Sequence, residues 1–421
     1  MVAQSASSSS LIRKVGPGVV TGAADDDPSG IATYSQAGAQ AGFGLLWTVV
    51  LTWPLMVAVQ SVSARIGRVT GHGLAANMCR VFPKSVVLAA VALLFIANTI
   101  NIGADLAAMG ASVSLLLGWG QSLFSILFAV ASLLAIVFLP YSRYVSILKW
   151  LTFSLFAYVG VVFSADIDWR AVGLGAVLPQ VDLDAKTLTL VVAVLGTTIS
   201  PYLFFWQSSQ EVEDEEGDPE AAPLTEHPKE ARQELLRINW ETGIGMAVSN
   251  LVAFFIMLTT AATLNANGLT DITNTQQAAE ALKPIAGEAA FLLFSLGIIG
   301  TGLLAVPVLA GSAAYAIGEA RGWTIGLECR PRDARPFYGV IAAAILTGLG
   351  VALLPIDPFK ALIWSAVLNG VIVVPIIAAM MVVAARRDVM GRFVAAPWQH
   401  VLGWLTAILM GAAAVAMLAL M

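Results

Sequence analysis

The chain has 421 residues, 58% of them hydrophobic and only 12% charged, with a formal net charge of −5. Soluble domains carry roughly a quarter charged residues, so a mean hydropathy of +0.82 marks a polytopic, all-α membrane protein whose surroundings are a lipid bilayer. The basic residues lie scattered in short loops with no basic stripe, which excludes a nucleic-acid partner.

At about 20 residues per span, the sequence predicts eleven transmembrane helices. Residues 1–15 read as a polar cytoplasmic tail without the pattern of a signal peptide, and residues 16–421 as one transmembrane domain. Span 1 covers about 16–40, span 2 about 43–66, span 3 about 86–112, span 4 about 120–140 and span 5 about 144–165. Span 6 covers about 187–210, span 7 about 240–264, span 8 about 288–318, span 9 about 337–355, span 10 about 359–385 and span 11 about 396–420. Cys79 and Cys329, the only cysteines, fall in loops expected on the cytoplasmic side, where a disulfide does not persist.

Lys and Arg concentrate in cytoplasmic loops. With the N-terminus inside, 18 of the 22 basic residues face the cytoplasm, and only Arg170, Lys186, Lys283 and Lys360 face out. The expected topology is therefore an integral plasma (inner) membrane protein, N-terminus cytoplasmic and C-terminus extracytoplasmic.

Span 1 contains Asp25-Asp26-Asp27-Pro28-Ser29-Gly30. A charge near the bilayer centre costs at least ~2.5 kcal/mol, so these carboxylates require a partner. Pro28 removes a backbone donor and drives Asp27 out of the α region, and a helix broken in lipid persists only where its freed groups meet protein or line a cavity. The stretch reads as a buried cation site on an unwound helix, with the break expected over Asp25–Gly30. Span 6 carries a matching interruption at Ser200-Pro201. The two breaks lie five spans apart, an odd number, so the halves insert with opposite topology; paired broken helices in inverted repeats point to a midplane transport site. The repeats are expected over about 16–165 and 187–385, with an extra helix at 396–420.

Other polar residues read more plainly. The acidic stretch from Glu211 to Glu241 is expected to be a solvated linker between repeats, the alternative being an acidic vestibule for cations. The outer loop from Asp166 to Lys186 reads as a connector. Asn98 and Asn101 on span 3 read as polar groups bonding neighbouring helices, and the glycines of span 8 as close-packing positions.

With these features assembled, the sequence resembles the Nramp family of divalent metal transporters, from Gly16-Pro17-Gly18 to the end of span 10. The resemblance implies an amino-acid-transporter-like fold of inverted five-helix repeats with helices 1 and 6 broken. The family's Asp-Pro-Gly-Asn stands here as Asp27-Pro28-Ser29-Gly30, which implies Asp27 as carboxylate ligand and leaves Gly30 where the family has an asparagine ligand. Its Ala-Thr-Val-Met-Pro-His stands as Thr197-Thr198-Ile199-Ser200-Pro201-Tyr202. Ala24 and Thr197 are thereby implied as carbonyl ligands, and Ser200 replaces the thioether. Asp26 is expected to ligate the ion directly or to sit just behind its ligands, and Asp25, less directly, to line the transport pathway.

Thioether sulfur suits softer transition metals, whereas Mg²⁺ takes oxygen ligands and dehydrates reluctantly. A roomy all-oxygen site suits partly hydrated Mg²⁺ while still admitting Mn²⁺, and these departures resemble the Nramp-related magnesium transporter branch. The family's proton-handling histidines in span 6 stand here as Tyr202 and Gln207. Of its span 3 Asp/Glu pair only Asp105 remains, with Ala108 in the second place. Asn369 in span 10 lies near the position of a family glutamine that helps close over the ion. Transport by alternating access without proton coupling is expected, with no cofactor beyond the transported Mg²⁺ or Mn²⁺ and no obligate protein partner. The alternatives are a proton-coupled Mn²⁺/Fe²⁺ transporter of the family or, less in keeping with three aspartates, a sodium-coupled amino-acid transporter of the same fold. An intramembrane enzyme is excluded because neither a Gly-x-Gly-Asp motif nor a His/Cys cluster is present.

Overall fold

The computed structural model describes residues 16–118, 120–139, 153–164, 167–179, 184–218 and 221–421. The first span is two helices, α1 (Pro17–Asp25) and α2 (Pro28–Ala41). There follow α3 (Leu46–Thr70), a short α4 (Leu74–Val81), the long α5 (Lys84–Leu117), α6 (Gln121–Phe138), α7 (Phe156–Ser164) and α8 (Trp169–Val177). The sixth span is likewise two helices, α9 (Ala185–Thr198) and α10 (Pro201–Glu216). α11 (Ala231–Thr263), α12 (Ala290–Arg321), α13 (Arg335–Ala352), α14 (Pro358–Ala385) and α15 (Pro397–Leu420) complete the bundle. No strand occurs among the described residues.

Nine helical runs among the described residues are long and apolar enough to cross a membrane, one of them counting α2 and α3 together. The first part of the expected span 5, up to residue 152, lies outside the described residues, and its second part is seen as a short 3₁₀ turn (Phe153–Leu155) and α7. Large apolar side chains such as Leu93, Ile96, Phe163, Trp240, Ile408 and Val415 are exposed around the outside of the bundle, as a lipid-facing surface requires.

The packing is reciprocal in the manner of inverted repeats. α2 rests on α11, and its counterpart α10 rests on α3. α5 packs on α6 as α12 packs on α13, and α5 and α12 pack against each other. Small residues permit the closest approaches. A Cβ on Gly22 would lie 2.3 Å from the carbonyl carbon of Gly245 in α11, and one on Gly196 would lie 2.2 Å from the carbonyl oxygen of Ala366 in α14.

Two expectations are corrected by the fold. The stretch from Glu211 to Glu241 is neither a solvated linker nor an open vestibule, because most of it is helix: α10 extends to Glu216 and α11 begins at Ala231. Five of its acidic side chains, Glu211, Glu213, Glu215, Glu234 and Glu241, are held by protein partners. Arg68 of α3 binds Glu215 at 2.8 Å and Glu234 at 3.1 Å, and Arg237 binds Glu211 at 2.7 Å, Glu234 at 3.1 Å and Glu241 at 2.9 Å. Glu213 accepts from the Tyr315 hydroxyl at 2.6 Å and the Leu327 amide at 2.8 Å. Cys79 lies within α4 rather than a loop, and both it and Cys329 are free thiols. The outer connector also holds structure of its own, since Asp168 caps α8 by accepting from the amides of Arg170 and Ala171; Asp166 and Asp182 lie outside the described residues.

The glycines of α11 provide a matched test. Gly245 faces the Gly18 carbonyl, 2.5 Å from where its Cβ would stand, whereas Gly243 on the same helix has open space. Gly245→Ala is expected to cost about 1–3 kcal/mol by overpacking, while Gly243→Ala gains roughly 0.5–1 kcal/mol from helix propensity. Melting temperatures of the two variants in detergent check this.

Candidate metal site

Each break follows from the missing amide hydrogen of one proline. Within α1 the carbonyl of Ala24 would ordinarily accept from the amide four residues on, which is Pro28 and has no hydrogen. The helix stops at Asp25, Asp26 and Asp27 leave helical geometry (φ −78°, ψ 68° and φ −82°, ψ 168°), and α2 starts at Pro28. In span 6 the carbonyl of Thr197 faces the same deficit at Pro201. Ile199 and Ser200 form that break (φ −118°, ψ 74° and φ −89°, ψ 134°). Each break is therefore only two residues long. Ser29 and Gly30, expected in the unwound part, lie inside α2, and Ala24 lies in the last turn of α1. The carbonyl of Ala24 is free because of where Pro28 stands, not because the backbone around it is unwound.

Side chains from the opposite break answer these freed groups. The Tyr202 hydroxyl donates to the Ala24 carbonyl at 3.1 Å. Ser200 turns back on its own helix, its hydroxyl lying 2.9 Å from the carbonyls of both Thr197 and Gly196. Ser29 and Thr197 bring their hydroxyls to 3.3 Å, and Tyr34 and Thr198 to 3.1 Å. α2 thus meets α9, α1 meets α10, and the two breaks face each other.

Asp27 stands at the junction as the N-cap of α2. Its Oδ1 accepts from the Gly30 amide at 2.8 Å and the Ser29 hydroxyl at 2.6 Å. Its Oδ2 accepts from Nδ2 of Asn101 on α5 at 2.9 Å. The carboxylate is 1% exposed, so these donors replace the water it has lost, as a buried charge requires. A Cβ on Gly30 would lie 3.2 Å from the Thr197 hydroxyl and 3.6 Å from Asp27 Oδ1. Any side chain at position 30 would therefore project into the space between carboxylate and hydroxyl.

The other two aspartates turn to a different neighbour. The Ser249 hydroxyl of α11 lies 2.6 Å from Asp25 Oδ2 and 2.9 Å from Asp26 Oδ1. Asp25 is buried with its Oδ1 unpartnered, and Asp26 is partly exposed. Three carboxylates adjacent in sequence consequently do not converge, and among the described residues no three His, Cys, Asp or Glu side chains form a metal cage. What gathers at the junction is one carboxylate, hydroxyls and freed carbonyls, all of them hard oxygen donors.

The Natural resistance-associated macrophage protein-like (Nramp) family model matches residues 18–420 of this chain. The chain belongs to the Nramp family.

A divalent metal cation transporter MntH of Klebsiella pneumoniae (strain 342) is 28% identical over 415 residues, covering 94% of this chain and 93% of that protein. A divalent metal cation transporter MntH of Yersinia pestis (strain Pestoides F) is 27% identical over 403 residues, covering 94% and 92%. Among solved structures, the Eremococcus coleocola manganese transporter in complex with an aromatic bis-isothiourea compound has a TM-score of 0.74 at 17% identity, covering 99% of this chain and 88% of that one. Mhp1, a nucleobase-cation-symport-1 family transporter in a closed conformation, has a TM-score of 0.55 at 14% identity, covering 97% and 93%. At such identities these two likenesses establish the shared fold alone.

The remaining residues singled out by sequence are set apart from the junction to differing degrees. Asp105 lies one helical turn beyond Asn101 on α5, fully buried, its Oδ2 3.5 Å from Asn101 Nδ2 and its Oδ1 unpartnered. Gln207 on α10 donates to the Thr242 hydroxyl of α11 at 2.9 Å. Asn369 on α14 is buried with neither amide atom partnered. Three side chains that touch the aspartates, Ser29, Asn101 and Ser249, are not among the sequence-derived candidates. For Asn101 the usable signal was its spacing of four from Asp105, which places both on one face of span 3.

Removing the Tyr202 hydroxyl isolates the price of a freed carbonyl. Tyr202→Phe leaves the Ala24 carbonyl without its donor, and a buried unsatisfied group costs about 1–3 kcal/mol. A lowered melting temperature in detergent is the expected result, and an unchanged one would show that the bond contributes nothing.

Proposed function

We propose that this protein carries divalent metal cations across the membrane by alternating access, with Mg²⁺ as its main substrate and Mn²⁺ also accepted. The observation that carries the reading is the junction of two broken helices, where Ser29 links the buried Asp27 carboxylate to the Thr197 hydroxyl and the carbonyls freed by Pro28 and Pro201 lie at the two breaks. The MntH relatives named as divalent metal cation transporters support the substrate class.

In this reading Asp27 supplies the charge, and Ala24 and Thr197 supply carbonyl oxygens. Gly30 and Ser200 keep bulkier side chains out of the space between Asp27 and Thr197. Asp26 and Asp25, held by Ser249, add negative potential beside the site. Mg²⁺ keeps several waters and binds through one or two carboxylates, which a junction with one convergent carboxylate and small neighbours accommodates. No thioether stands at Ser200 to favour softer Mn²⁺ or Fe²⁺.

The reading includes no proton coupling. A proton relay in a membrane uses titratable groups in series. At the span 6 positions stand Tyr202, which donates to a carbonyl, and Gln207, which donates to Thr242. His72, His227 and His400 all lie at or beyond helix ends. The distribution of Lys and Arg supports a cytoplasmic N-terminus and an extracytoplasmic C-terminus in the plasma (inner) membrane.

Flux into proteoliposomes tests the reading. The wild type is expected to take up both Mg²⁺ and Mn²⁺, with millimolar Mg²⁺ suppressing Mn²⁺ uptake and no acidification of the lumen accompanying either ion. Asp27→Ala is expected to reduce both fluxes at least tenfold. Mutant uptake at the wild-type rate would remove Asp27 from the site, and lumenal acidification that tracks uptake would restore proton coupling.

A further inference from the structure

Gly30 leaves the junction without an amide oxygen from span 1, yet an amide stands at the carboxylate from another direction. Asn101 projects from α5 and is fully buried. Both of its hydrogen bonds go to carboxylates, at 2.9 Å to Asp27 Oδ2 and 3.5 Å to Asp105 Oδ2. Its own Oδ1 has no partner. Asn98, one turn earlier on the same helix, behaves differently. Its Nδ2 crosses to α12, donating to the Leu309 carbonyl at 2.9 Å and lying 2.8 Å from the Ser312 hydroxyl. Both asparagines bond a neighbouring helix as expected, but Asn98 meets a backbone carbonyl and a hydroxyl, whereas Asn101 meets a carboxylate.

We propose that Asn101 is an ion ligand, supplying from span 3 a carboxamide oxygen beside Asp27. The proposal rests on the divalent-cation reading above. A cation arriving at Asp27 repels the amide hydrogens of Asn101 and attracts its oxygen. The two ends of an amide have nearly the same shape, so a half-turn about the terminal side-chain bond puts Oδ1 where Nδ2 stands. One amide atom is unpartnered in either orientation, and the half-turn withdraws only the long 3.5 Å bond to Asp105 Oδ2, whose loss the arriving positive charge offsets. Oδ1 then lies 2.9 Å from Asp27 Oδ2, the distance Nδ2 now holds. Adjacent oxygens around an octahedral ion with bonds of about 2.0–2.1 Å are separated by roughly 2.9 Å. The pair thus has the spacing that an octahedral ion of the size of Mg²⁺ or Mn²⁺ needs.

Two substitutions separate an oxygen ligand from a hydrogen-bond donor. Asn101→Asp keeps an oxygen in the same shape and removes the N–H groups; Asn101→Leu keeps the approximate size and offers neither. The measurements are Mg²⁺ and Mn²⁺ binding by calorimetry on the purified protein and the KM for Mg²⁺ uptake in proteoliposomes. Asn101→Leu is expected to weaken binding of both ions and raise KM about tenfold, and Asn101→Asp to stay within about threefold of wild type. If leucine does not give a monodisperse protein, Asn101→Ala takes its place with the same expectation. Wild-type affinity in Asn101→Leu or Asn101→Ala overturns the inference. So does an equal loss in the aspartate and apolar variants, which would assign Asn101 to holding Asp27 through its N–H group. A wild type that neither binds nor transports Mg²⁺ or Mn²⁺ refutes the proposed function itself, whereas a transporting wild type with an unaffected leucine variant refutes only the role of Asn101.

Discussion

Two absent hydrogens organise this molecule. Pro28 and Pro201 cannot donate to the carbonyls four residues before them, so Ala24 and Thr197 are left with oxygens that no helix can satisfy. In a lipid environment such oxygens must be answered by protein or by a polar guest. The chain answers one from the opposite break, through Tyr202, and the other locally, through Ser200. The two interruptions are thereby bound to each other, and the carboxylate at position 27 is carried to the place where freed oxygens already gather.

The surrounding helices keep the broken ones in position without filling the gap. α11 lies so close to α1 that glycines meet backbone to backbone, and its Ser249 holds the two aspartates that do not face α5. Further along, Arg237 of α11 and Arg68 of α3 collect the acidic end of α10 into one network. Buried ion pairs are poor sources of net stability because desolvation offsets much of their attraction, yet breaking one leaves an uncompensated charge at high cost. Their effect here is on geometry. The network ties α10, α3 and α11 together at one end of the bundle, the same helices whose mutual packing positions the breaks.

How much of this was legible in sequence depends on how local each cause is. The breaks were readable because proline and its neighbours act within four residues, and the inverted arrangement followed from an odd number of spans between them. The extent of the breaks was overestimated because Asp27, by capping α2 with its own side chain, draws Ser29 and Gly30 into the helix. The acidic stretch was misread for a different reason. Its partner Arg68 lies about 150 residues away in the chain, and no local pattern announces such a pairing. Asn101 was visible as a polar residue in an apolar span, but its contact with Asp27 spans 74 positions. A span-by-span reading cannot distinguish an asparagine that joins two helices from one that faces a carboxylate.

In the proposed reading, the hydrogen bonds of Asp27 also bear on turnover. A carboxylate buried without donors would hold a divalent ion far too strongly to release it, since conduction demands binding that is favourable yet reversible. Here each carboxylate oxygen already accepts from protein donors, Ser29 and Gly30 on one side and Asn101 on the other. An arriving ion therefore gains only the difference between its own attraction and that of the donors it weakens or displaces. Water retained around a hard ion reduces the difference further, because fewer direct bonds form. In that reading a single convergent carboxylate, already solvated by the protein, suits a hard ion that must leave as readily as it enters, whereas a soft metal would call for the sulfur-bearing ligand that does not stand at Ser200.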